Sequence, residues 1–95
     1  PIPISEILTK VIFKVNWNIE KVKLLSISFK DWPDMAIGED TDNAQLQVIV
    51  KGIEMIINYE NKNYELKLLY DANMKYVKLV EVLSGKIILN SNLDI

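Results

Sequence analysis

Cysteine, histidine and arginine are all missing from this 95-residue chain, and glycine and proline occur three times each. Without cysteine there is no disulfide, no thiolate nucleophile and no thiolate metal ligand. Without histidine the chain lacks the side chain most often used as a general base near neutral pH, and also the commonest ligand of transition metals. These absences argue against hydrolase and metalloenzyme chemistry, so the expectation is a non-enzyme without a cofactor. Without arginine there is no planar fork for guanine or phosphate, and a formal net charge of -2 adds no general attraction to a polyanion. Nucleic acid is therefore not an expected partner. No apolar run approaches the roughly 18 residues that a membrane span needs, and the opening "PIPISEILTK" has no basic region followed by an apolar block. The expectation is a soluble protein of the cytoplasm, or of the host cytoplasm if the chain is viral, with no membrane partner.

What is present is ordinary globular material. Apolar residues make up 49% and charged residues 25% of the chain, which places it near the average for folded domains and far from the signature of disorder. At this length one core is expected, hence a single domain over residues 1–95. Eleven lysines with no arginine, nine asparagines and fourteen isoleucines fit an AT-rich coding sequence, as in a phage, a virus or a low-GC bacterium. No repeat or Gly/Ser linker divides the chain.

Periodicity carries the fold. In the second half, "AQLQVIV", "IEMIINY", "YELKLLY", "YVKLVEVL" and "KIILN" are runs rich in β-branched and aromatic residues. The turn-like pieces "KG", "ENKN", "DANM" and "SG" separate them. They predict an antiparallel meander. A turn at Lys51-Gly52 would set Val50 opposite Ile53 and Val48 opposite Met55. A turn centred on Asn61-Lys62 would set Tyr59 opposite Tyr64, Ile57 opposite Leu66 and Met55 opposite Leu68. A loop at "DANM" would place Val77 beside Leu68 and Leu79 beside Leu66, and a Ser84-Gly85 turn would return Ile87 and Leu89. The first third reads two ways. Ile4, Ile7, Leu8, Val11, Ile12 and Val15 follow helical spacing, whereas Val11, Phe13, Val15 and Trp17 alternate in period two. β-Branched and aromatic content favours a short helical or irregular start, then a strand, a turn near "NIEK" and a further strand "VKLLSISF". The alternative is one amphipathic helix across the sheet. The fold class is thus mainly β, an antiparallel meander of six or seven strands in a small sandwich or open barrel, with or without a short N-terminal helix. One helix on an antiparallel sheet, an α+β fold, is the alternative.

Functional signals are few. "GEDTDN", residues 38–43, groups three acids, but as a calcium loop starting at Asp40 it has Ala44 at the fifth position, Gln45 at the glycine position and Lys51 at the closing glutamate. A solvated loop end is the better reading, and no metal is expected. The segment "KDWPDMAIGEDTDN" is the longest aperiodic stretch, and connections of that length are usually functional or mobile. Within it Trp32, flanked by Asp31 and Asp34, is either a lid on the core or an anchor for a basic peptide surface. On the outer sheet face, the predicted register puts Ile49, Ile56, Leu69, Val80, Val82 and Ile88 among Glu54, Glu65, Lys67 and Lys78. That face is too apolar for plain solvent contact and marks either an interface or a surface covered by the N-terminal segment. Trp32, Asp34, Ile56, Leu69, Val80 and Val82 are therefore the candidate partner-binding residues. The expected function is a non-catalytic protein-interaction or self-association module, its partner another protein or a second copy. The rivals are a small-ligand-binding β-barrel and a small enzyme using only Asp, Glu, Lys or Tyr.

Overall fold

The apolar stripe Ile4, Ile7, Leu8, Val11, Ile12, Val15 recurs every three to four residues, and the chain folds there as a helix. A computed structural model, which describes residues 4–33, 49–70 and 75–93, places α1 at Ile4–Lys14. Glu6 lies in the first turn and Lys14 in the last, each at the end where its charge complements the helix dipole. Asn16, at φ 59°, closes the helix in the left-handed region. Its N–H donates to the Phe13 carbonyl at 3.2 Å and the Trp17 N–H to the Ile12 carbonyl at 3.1 Å, the paired bonds of a Schellman cap. The strand expected over this segment does not form. Its period-two set included Phe13, which points away from the core and is exposed. The helical set included Ile7 and Val11, which are buried in the central cluster.

Asn18 then caps a 3₁₀ turn at Ile19–Lys21, its side chain accepting from the Glu20 N–H at 3.0 Å. Five strands follow, β1 (Val22–Pro33), β2 (Ile49–Tyr59), β3 (Lys62–Tyr70), β4 (Lys75–Glu81) and β5 (Ile87–Asn92). They make one open antiparallel sheet in the order β1-β2-β3-β4-β5. The expected mainly-β meander with an N-terminal helix is what the structure shows, and the same arrangement also fits the α+β description. Among the described residues the strands number five, in a single sheet.

One face of that sheet is the core. Ile53, Met55 and Ile57 of β2, Tyr64, Leu66 and Leu68 of β3, and Val77 and Leu79 of β4 are buried together with Ile7, Val11 and Leu93. Each fully buried aliphatic of this set contributes roughly 1.5–3 kcal/mol. Trp17 locks the helix end to the sheet. Its indole stacks on Tyr59 with ring centroids 4.4 Å apart and an 8° tilt, and meets Tyr64 at 4.6 Å. The Asn18 N–H donates to the Tyr59 hydroxyl at 3.0 Å.

Three register details differ from the sequence reading. No turn forms at Lys51-Gly52, because β2 runs straight through it; Val50 pairs with Trp32, and Gly52 lies between Lys30 and Leu69. Glycine permits a turn without requiring one, and here the residues before Ile53 are paired with β1. Residues 44–48, the rest of the strand expected there, lie outside the described residues. The β2–β3 turn is Glu60-Asn61, both at positive φ (50° and 65°), as a two-residue hairpin with right-handed strand twist demands. Ile57 consequently faces Tyr64, and Met55 faces Leu66, two positions from the expected pairing. A shift of two keeps every side chain on its expected face. The β3–β4 pairs are as expected, Leu68 with Val77 and Leu66 with Leu79, although residues 71–74 lie outside the described residues. Finally, Ile88 is the extra residue of a bulge, since Leu79 pairs with Leu89 and Val80 with Ile87. It packs against the core and not on the outer face.

Two outcomes test this register. Replacing the turn by Glu60→Asn/Asn61→Gly relieves non-glycine residues at positive φ and should raise the unfolding free energy by on the order of 1 kcal/mol; an unchanged or lowered urea midpoint would contradict the turn geometry. Leu66→Asp should destabilise by several kcal/mol, as an unpaired acid in the core, whereas its neighbour Lys67→Gln on the other face should stay within about 0.5 kcal/mol. Equal losses at the two positions would mean that the faces are wrongly assigned.

Candidate functional site

A single helix cannot cover five strands. At about 4.8 Å per strand the sheet is roughly 19 Å across between its outer strands, whereas a helix with side chains is about 10–12 Å wide. The uncovered remainder falls on β1. Leu24, Ile27 and Phe29 pair with Ile57, Met55 and Ile53, so they share the core face. Yet they are 45%, 42% and 76% exposed, and Leu25 is 53% exposed. At Leu25 two residues of β1 oppose one of β2, so the strand carries a bulge between Leu24 and Ser26, which re-aims the edge. From Ser26 to Phe29 the strand alternates, with Ile27 and Phe29 on the helix side and the serines on the other. At the far end of this strip Phe29, Lys30, Asp31, Lys51 and Gly52 line a shallow depression of about 440 Å³.

The outer face behaves differently. Glu54 and Lys67 are opposite one another, as are Lys67 and Lys78. Lys30 Nζ lies 2.9 Å from Glu54 Oε2, and Lys67 Nζ lies 3.3 Å from Glu65 Oε1. These partly exposed pairs are worth about 0–1 kcal/mol each. They satisfy the charges of the ladder that the sequence placed there. Lys78 is nearly buried and also has an interaction partner. Tyr76 donates its hydroxyl to Asn90.

The predicted partner-binding residues do not form one surface. Ile56 and Val80 both pair with Glu65 in a single row of the outer face and are half-buried. Leu69 is on the same face, opposite Gly52 and Tyr76, and is completely buried. Val82 is exposed just past the end of β4, its N–H donating to the Asn63 carbonyl at 2.9 Å. Trp32 is in β1 and pairs with Val50. Asp34 and all of "GEDTDN" lie outside the described residues. Among the described residues no three acidic side chains gather as a metal site would require. No helix among them is long and apolar enough to cross a membrane.

Sequence reasoning missed the β1 strip. "VKLLSISF" was legible as a strand with one apolar face, but an alternating strand reads the same whether its apolar face is covered or open. Position at the sheet edge decides which, and one sequence does not disclose strand order. Comparison with protein-family models, with curated proteins and with solved structures finds no match to the chain. The functional reading therefore rests on the residues themselves.

Proposed function

We propose that the protein is a non-catalytic interaction module whose contact surface is the helix-side strip of β1. The observation that carries this reading is Phe29, three-quarters exposed beside a fully buried Ile53. Large apolar groups left open in a row at a sheet edge are a liability that folded proteins normally avoid by charge, shortness or cover. β1 is twelve residues long, and its helix side carries Leu24, Ile27 and Phe29, with the exposed Leu25 at the bulge between the first two. Burying such side chains against a partner yields roughly 1.5–3 kcal/mol each, enough in aggregate to favour association. Among the described residues no strand lies beyond β1, so an added strand would gain both hydrogen bonds and apolar contact. A ligand-carrying barrel needs a closed interior, and an open sheet with β1 and β5 at opposite edges supports that reading less well.

The distinguishing property of a contact surface is that it can be altered without harm to the fold. The double variant Leu25→Lys/Phe29→Lys changes two exposed positions and should keep the melting temperature within about 4 °C of the parent, the equivalent of about 0.5 kcal/mol at this size. The same variant, used as bait in the native host, should lose the partner that the parent chain retains. Retained capture would remove β1 from the contact. A collapse of the melting temperature would make these side chains part of the protein's own core.

A further inference from the structure

The strip on β1 reads almost the same in both directions. About Ile27 the sequence is symmetric in kind, with serine on each side at 26 and 28 and a large apolar residue at 25 and 29. Resting on the interaction-module reading, we propose that the partner is a second copy of this chain, and that two β1 strands pair antiparallel about a two-fold axis passing through Ile27.

In that register, residues equidistant from Ile27 face each other. Ile27 meets Ile27 of the other copy, Leu25 meets Phe29, and Ser26 meets Ser28. Ile27 and Phe29 stay on the helix side and Ser26 and Ser28 on the other, which a register displaced by one residue would destroy. Charges agree with the same alignment. Lys23 comes level with Asp31 at each end and Lys30 with Leu24, so no like charges are opposed. The depression bordered by Phe29 and Asp31 lies where Leu25 and Lys23 of the other copy arrive.

A two-fold axis perpendicular to the sheet keeps both helices on the same side. The open flank of each core face then abuts the open flank of the other, so Phe29 of each copy gains an apolar neighbour it lacks alone. β1 remains in the sheet on both sides of the bulge between Leu24 and Ser26, as far as Val22, and the contact is isologous and closes at two copies.

The absence of cysteine makes the register directly readable. Facing residues of an antiparallel pair have Cα atoms about 4.5–5.5 Å apart, inside the roughly 4.4–6.8 Å that a disulfide spans. Under mild oxidation, Ile27→Cys should cross-link to a covalent dimer. Asp31→Cys should not, because its symmetry mate lies eight residues away along the strand, about 27 Å. Leu25→Cys and Phe29→Cys should each form no cross-link alone and should cross-link when mixed. Light scattering of the purified parent chain should give twice the mass of one copy. Ile27→Lys should halve that mass with an unshifted melting temperature. Should Ile27→Lys unfold, Phe29→Lys takes its place, and the cysteine series is read on chains whose melting matches the parent. A parent chain that stays monomeric to millimolar concentration overturns self-pairing. If the lysine variants still lose a different protein in the host, the interaction reading then survives its failure. A dimer that Ile27→Cys does not cross-link, or a series of ever larger assemblies, also overturns the proposal.

Discussion

The fold depends on one contact, the packing of α1 onto the apolar face of β2, β3 and β4. An open sheet with one apolar face must bury that face against another element, and Ile7 and Val11 of α1 supply the cover. Everything near that contact is arranged to hold the helix in place. The Asn16 cap stops the helix, Trp17 stacks on Tyr59, and the Tyr59 hydroxyl accepts from the Asn18 backbone. The chain therefore enters β1 from a fixed point at the hairpin end of the sheet. That geometry also accounts for the earlier ambiguity of residues 4–15, because the tie between helical and strand spacing is broken by the need to cover a sheet face and not by local propensity.

The same contact creates the candidate site. A helix seated over the central strands leaves a flank bare, and β1 occupies it with the side chains of a core strand but without a core strand's cover. Leu24, Ile27 and Phe29 continue the apolar rows of Ile57, Met55 and Ile53 past the limit of the helix. Their exposure is a consequence of width, since the sheet is about 7–9 Å broader than its cover. A protein that retains such a flank has either a partner for it or an aggregation hazard, and Lys23, Lys30 and the bulge at Leu25 are the features that limit the second.

The two faces of the sheet divide the work. On the outer face, Lys30 pairs with Glu54 and Lys67 with Glu65, and Ile56 and Val80 are half-buried on either side of Glu65. On the helix side, the apolar rows continue to the edge with no charge until Asp31. The interaction surface inferred from sequence was sought on the outer face because that face looked too apolar to be wet. In the folded chain one of its apolar members, Leu69, is fully buried. The uncovered apolar area is on the other side, at one end of rows that had been assigned wholly to the core.

From the sequence alone came the meander, the inward and outward faces of β2, β3 and β4, the β3–β4 register and the charged outer ladder, because alternation in period two is a local property of each strand. Even the misplaced β2–β3 turn kept the faces correct, since an error of two residues preserves parity. The exclusion of thiolate and imidazole chemistry was equally complete from composition. Only the tertiary structure decided that residues 4–14 are a helix, that Gly52 is inside a strand, and that β1 is an edge. Each of these depends on which segment lies beside which: the helix is selected by the face it covers, the strand at Gly52 by its pairing with β1, and the exposure of Phe29 by the finite width of a single helix.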